Sequence, residues 1–189
     1  IGFGPTRAEA AGRLALALER THLGGVTTNR DFLVASLRTP EFLAGDTTTD
    51  FIDRVKPPRS RPLASGELER VARTTALWLQ GCNRADSAVL ASAPSGWRNA
   101  RLPDQQVSFK HAEAAISVSY RSVRDGRFRF SADSYARIHD WKPDSIDVEI
   151  DGHRQRSRIT RSGDLIIVHG ARGDLELELQ PRFVLPGGE

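Results

Sequence analysis

The residue types that the chain lacks exclude several classes of protein before any motif is considered. Its 189 residues include one cysteine and no methionine. A single cysteine excludes a disulfide framework and a cysteine-rich zinc site. No apolar run approaches the roughly 18 residues that a membrane helix needs, and no signal peptide opens the chain. We therefore expect a cytoplasmic protein with no membrane partner.

The charges are close to balance, which argues against a nucleic-acid partner. Lys and Arg number 27 against 24 Asp and Glu, so the formal net charge is +3. Residues 105–189 carry 13 basic and 13 acidic side chains. No zone of the sequence is therefore a basic patch of the kind that binds nucleic acid.

Both ends of the chain indicate a piece of a larger protein. The chain opens at Ile1 and has no Met at any position. Its last residues, PRFVLPGGE, have the Pro and Gly content of a linker. We expect further domains on either side.

The first 55 residues follow a helical pattern. Thr6 and Glu9 form a capping box, and apolar residues recur behind them at helical spacing. Further short helices are predicted from near Thr28 and from Pro40, which suits a first helical position.

A longer helix is predicted over residues 65–92. Ser65 is a candidate N-cap, and the stretch from Ala76 to Leu79 is apolar on every side. A helix of that kind is usually surrounded by protein. Gly81 and Asn83 are candidate positions for a kink or a break.

Residues 105–183 alternate between apolar and polar side chains, which is typical of antiparallel strands. Asp125-Gly126 and Asp151-Gly152 are hairpin signals. About eight strands at this spacing predict a barrel or a sandwich, and a barrel around the apolar helix would leave no sheet edge. The predicted fold is α+β: a long central helix surrounded by an antiparallel β-barrel of about eight strands, preceded by short helices.

The reactive side chains form no recognisable catalytic motif. Cys82 lies on the apolar helix and is interpreted as a core residue. Asp133, Ser134 and His139 are residue types of a hydrolase, but no nucleophile elbow surrounds them. The five histidines have no metal-ligand spacing. We therefore predict no catalytic, cofactor-binding or metal-binding residues.

One loop, residues 93–104, has the composition of a binding site. Its sequence, APSGWRNARLPD, places Trp97 between Gly and Arg. Trp and Arg are enriched at binding hot spots, and Gly and Pro lower the entropy cost of ordering a loop. The residues leave two interpretations open: Trp97 contacts a partner, or it folds back to fill the mouth of the barrel.

Residues 1–55 resemble the C-terminal end of a biotin carboxylase domain. The stretches that carry this resemblance are TRAEA at 6–10, ALE at 17–19, GVTTN at 25–29 with Phe32 and Leu33, PEF at 40–42 with Gly45, and Thr49 with Phe51 and Ile52. The rest of the chain, including PSGWRN at 94–99, resembles the BT domain in the α subunit of a biotin-dependent acyl-CoA carboxylase.

The resemblance implies a fold, a role and a partner. The BT domains of this family have a long helix inside a barrel of about eight strands and mediate assembly of the biotin carboxylase and carboxyltransferase parts. The loop between helix and barrel, the hook loop, contacts the carboxyltransferase β subunit. The implied partner-binding residues are Pro94, Ser95, Gly96, Trp97, Arg98, Asn99 and Arg101. The implied division is a biotin carboxylase remnant at 1–55, a linker at 56–64, a BT domain at 65–183 (helix 65–92, hook loop 93–104, strands 105–183) and a linker start at 184–189.

Parts of the family's machinery have no counterpart in this sequence. The ATP-grasp lobes are missing, and without Met the biotinyl motif Ala/Val-Met-Lys-Met cannot occur. We expect no cofactor in this chain. Biotin, ATP and Mg²⁺ would belong to the parent protein, whose biotin carboxylase and biotin carrier domains are further partners.

Two other functions remain open. A small hotdog-type acyl-CoA thioesterase or dehydratase also wraps a sheet around a long helix, and it would need an acid or a hydroxyl on that helix facing a thioester. Glu67, Glu69 and Asp86 are the acids available. A lipocalin-like ligand barrel is disfavoured, because the helix fills the space that a ligand would need.

Overall fold

A computed structural model describes residues 1–88 and 103–182, and these form two compact units. One unit contains residues 1–64 together with the short segment 171–174. The other contains residues 65–170 and the chain from residue 175 onward.

The first unit is built from four short helices. They are α1 (Arg7–Arg20), α2 (Arg30–Leu37), α3 (Pro40–Ala44) and α4 (Phe51–Val55). The Thr6 half of the predicted capping box begins α1, because Thr6 Oγ1 accepts a hydrogen bond from Glu9 N at 3.2 Å. Helix α2 begins at Arg30, two residues later than predicted, after an Asn29 that makes no side-chain cap.

The second unit opens with helix α5, which spans Glu67–Ala85. Gly66, in the left-handed region at φ 69°, precedes it, so the predicted Ser65 cap is wrong. The predicted end at residue 92 is also wrong, because Asp86 to Ala88 are not helical. Burial explains the early end: Gln80 is the last buried residue, and the polar run from Asn83 is exposed and gains no packing from further helix.

The barrel has eight antiparallel strands in sequence order and is closed. The strands are β1 (Gln105–His111), β2 (Ala114–Ser122), β3 (Phe128–Arg129), β4 (Tyr135–Lys142), β5 (Ser145–Ile150), β6 (His153–Ser162), β7 (Leu165–Gly170) and β8 (Gly173–Leu179). Phe109 and Lys110 of β1 pair with Leu179 and Glu178 of β8 and close it. The predicted antiparallel barrel is confirmed.

Helix α5 is buried on every side from Thr74 to Gln80 and contacts β2, β4 and β5. The apolar stretch of the sequence therefore lies inside the barrel, as predicted. The helix is continuous through Gly81 and Asn83, so the predicted break does not occur.

Two tryptophans join α5 to β4. Trp78 Nε1 donates to Lys142 O at 3.2 Å, and Trp141 Nε1 donates to Trp78 O at 3.1 Å. The second contact requires a glycine, since a Cβ on Gly81 would lie 2.1 Å from Trp141 Nε1. Gly81 thus gives the indole access to the helix backbone.

No helix in residues 1–88 and 103–182 combines the length and apolar character needed to cross a bilayer.

We predict that Gly81→Ala destabilises the barrel. Overpacking of a filled core costs about 1–3 kcal/mol, which exceeds the gain of about 1 kcal/mol in helix propensity. The matched control is Gly12→Ala on α1, where an added Cβ meets nothing within 4 Å. Native-state hydrogen exchange should show less protection of α5 in the first variant and more protection of α1 in the second. Unchanged protection of α5 would contradict the packing described here.

Adjacent buried threonines of α5 give a second test. Thr75 Oγ1 donates to Val71 O at 2.8 Å, whereas Thr74 Oγ1 has no hydrogen-bond partner in the described residues. A buried unsatisfied hydroxyl costs about 1–3 kcal/mol. Thr74→Val should therefore raise the melting temperature, while the isosteric Thr75→Val should lower it. The reverse order in a thermal melt would show that Thr74 is satisfied.

Candidate docking end of the barrel

The alternating strand directions give the barrel two distinct ends. Strand β1 begins at the end that carries the connections 123–127, 143–144 and 163–164, which we name the docking end. The connections 112–113 and 130–134 lie at the opposite end.

Helix α5 runs from the opposite end to the docking end. Near its start, Arg73 Nη1 donates to Ser134 Oγ at 2.9 Å and lies 3.6 Å from Asp151 Oδ2. About one and a half turns later, Trp78 bonds to Lys142 O beside the 143–144 connection. Helix α5 therefore ends, and β1 begins, at the same end of the barrel.

The predicted partner-binding residues lie outside the described part of the chain. They are Pro94, Ser95, Gly96, Trp97, Arg98, Asn99 and Arg101. Whether Trp97 contacts a partner or fills the barrel mouth stays a prediction. The described residues on either side, 86–88 and 103–104, follow α5 and precede β1.

An ion pair holds the second of these flanks to the barrel. The Asp104 carboxylate, immediately before β1, accepts from the Arg121 guanidinium of β2. Asp104 is also the last residue of the predicted hook loop. The ion pair therefore fixes Asp104, at one end of that loop, to strand β2.

The β2–β3 connection at the docking end is internally bonded. Val123 N donates to Arg127 O at 2.9 Å, and Gly126 N donates to Val123 O at 3.1 Å. The Asp125 carboxylate accepts from the backbone N–H of Arg127 at 3.0 Å and from its Nε at 2.6 Å. These two bonds, the backbone one first, hold the pKa of Asp125 below its ordinary value.

Cys82 occupies the last helical turn before the docking end. The residue is half-buried, and burial raises the pKa of its thiol, with the charge of Arg161 opposing the shift. A thiol with a raised pKa is mostly protonated and unreactive at neutral pH. The predicted core position is therefore wrong, because Cys82 lies at the half-exposed edge of the core where α5 leaves the barrel interior.

The residues with hydrolase character are not brought together. Ser134 Oγ donates to Asp151 Oδ2 at 2.9 Å and accepts from Arg73, so it joins two connections to α5. His139 Nε2 instead lies 3.0 Å from Glu149 Oε2 across the β4–β5 pair. A Ser–His arrangement needs the imidazole within hydrogen-bond reach of the hydroxyl, and Ser134 contacts the Asp151 carboxylate and the Arg73 guanidinium instead.

Comparison with protein families matches both parts of the chain. A family model described as methylcrotonyl-CoA carboxylase, alpha-subunit, BT domain matches residues 67–182. A second, described as biotin carboxylase C-terminal domain, matches residues 1–54. A comparison with curated proteins gives no match. The first match alone covers more than half of the chain. The chain therefore belongs to the biotin-dependent acyl-CoA carboxylase α-subunit family, with a BT domain at residues 67–182 after a biotin carboxylase C-terminal domain at residues 1–54.

Proposed function

We propose that this BT domain is a noncatalytic assembly module that docks the α subunit onto a carboxyltransferase β subunit through residues 94–101. The observation that carries the proposal is the course of the chain: α5 ends and β1 begins at one end of a closed barrel. A segment held at both flanks by one rigid body is suited to present a binding surface.

The way α5 is held supports a rigid presentation. Arg73 bonds it to Ser134 at the opposite end, and the Trp78–Trp141 pair bonds it to β4 nearer the docking end. The described flanks of residues 94–101 are therefore attached to one fixed frame, and a fixed attachment lowers the entropy cost of binding.

The proposed contribution to the reaction is effective concentration. Two active sites on separate subunits exchange a carried group faster when a third contact keeps them together. We expect biotin and ATP with Mg²⁺ to be held by other domains, since this chain has no Met and cannot contain the biotinyl motif.

The first unit is proposed to contact the rest of a biotin carboxylase domain. All large apolar side chains that are exposed within the described residues belong to it: Ile1, Phe3, Leu16, Leu23, Val26, Leu33, Leu43 and Ile52. Apolar surface concentrated in one unit marks an interaction site.

The hotdog-type alternative has less support. Its helix would need an acid facing a thioester, but the Glu69 carboxylate contacts Arg73 at the turn-to-turn spacing of α5. The closed barrel surrounds the helix, and Asp86 lies beyond its end.

We predict that Trp97→Ala strongly weakens docking of this chain onto its cognate carboxyltransferase β subunit. Truncation of a hot-spot Trp costs about 2 kcal/mol or more, which is roughly a 30-fold loss of affinity. Isothermal titration calorimetry on the folded variant measures it. The matched control is Phe3→Ala, which removes an aromatic side chain that is 83% exposed in the first unit.

The outcomes separate the hypotheses. Loss of binding in Trp97→Ala, with Phe3→Ala near wild type, supports docking through the loop. Equal binding by all three proteins would place the contact elsewhere on the chain. Absence of binding by the wild type contradicts the proposed function.

A further inference from the structure

The barrel carries a concentration of arginines that the balanced composition conceals. Strand β2 continues into the 123–127 connection and then into β3 and β4. Tyr120, Phe128 and Ala136 are buried on these strands, so the residues that alternate with them face outward. The outward arginines and those of the connection are Arg121, Arg124, Arg127, Arg129 and Arg137, which together form what we name the arginine face.

Nearby carboxylates neutralise only part of this charge. Asp104 contacts Arg121, and Asp125 contacts Arg127. Arg124, Arg129 and Arg137 have no ion pair with any carboxylate among residues 1–88 and 103–182. Glu149 is the cross-strand neighbour of Arg137, but its carboxylate lies against His139.

The sheet also places like charges opposite each other. Arg121 and Arg129 are direct partners in the β2–β3 pair. Like charges at opposed positions destabilise a sheet. Asp104 already offsets the charge of Arg121, and a carboxylate of a partner near Arg129 would reduce the remaining repulsion, which salt only screens.

The arginine connection is fixed in place before any partner binds. The Arg127 guanidinium lies 4.6 Å from the centroid of the Tyr135 ring and is bonded to Asp125. The charge of Arg137 on β4 contributes to the lowered pKa of Asp125 in the β2–β3 connection. Arg137 is therefore close enough to this connection to share its electrostatic environment. Only Arg124 of this connection extends from it without an ion pair.

We propose that the arginine face is a second contact surface, which binds a carboxylate-rich surface of the carboxyltransferase β subunit. The inference rests on the proposed function. A positively charged face is complementary to a partner surface that carries carboxylates. The arginine face adjoins the predicted hook loop, because Arg121 contacts Asp104, the last residue of that loop. The same β subunit would therefore contact both surfaces.

The test compares two double variants of the full chain in titrations against the β subunit. Arg124→Gln/Arg137→Gln removes two exposed charges of the arginine face. Arg156→Gln/Arg158→Gln removes two exposed charges from the outer side of β6, elsewhere on the same barrel. We expect the first to weaken binding about tenfold and to flatten its salt dependence, and the second to stay within about twofold.

Each outcome decides between the two proposals. If Trp97→Ala strongly weakens binding while Arg124→Gln/Arg137→Gln binds like the wild type, the docking function stands and the arginine face is excluded. Equal losses in both double variants would show a nonspecific charge effect and overturn the inference. Binding of a DNA oligonucleotide as tight as that of the β subunit, with the same loss, would assign the face to nucleic acid instead. A wild type that does not bind the β subunit overturns both proposals. Thermal melts confirm that each variant is folded.

Discussion

The Trp141 indole reaches the backbone of α5 because residue 81 has no side chain. That contact fixes the distance between α5 and β4. A reciprocal hydrogen bond, from Trp78 of the helix to Lys142 O of β4, fixes the same distance. The remaining strands close around a helix whose position is fixed in this way. The buried residues of this helix, Thr74 to Gln80, fill the interior of the barrel.

Fixing the helix also fixes where the chain leaves it. Arg73 holds one end of α5 to Ser134 and Asp151, so the other end emerges at the docking end, where β1 starts. The ion pair between Asp104 and Arg121 then joins the linking segment to the outer side of β2. In this account the interior packing determines the position of the proposed partner surface, although none of the core residues would contact the partner.

The sequence predicted the class of fold because two patterns are unambiguous: the wholly apolar stretch Ala76–Leu79 and the alternation of the later strands. The alternation is weakest in β4 and β6. A register shift between Ile138 and Asp140 interrupts the alternation of β4, and the inward side of β6 includes the small polar Ser157. The end of α5 was predicted too late because apolar residues continue in the sequence beyond Gln80, the last residue of the helix that is buried. The arginine face was invisible because acids elsewhere in residues 105–189 cancel its charge in any sum along the chain.

The central claim is that one end of the barrel, together with its adjoining arginine face, receives the partner. Hydrogen–deuterium exchange of the chain with and without the carboxyltransferase β subunit tests it most directly. The account predicts new protection in residues 86–104 and in the 123–127 connection, with the 112–113 and 130–134 connections unchanged. Protection confined to the 112–113 and 130–134 connections would contradict it.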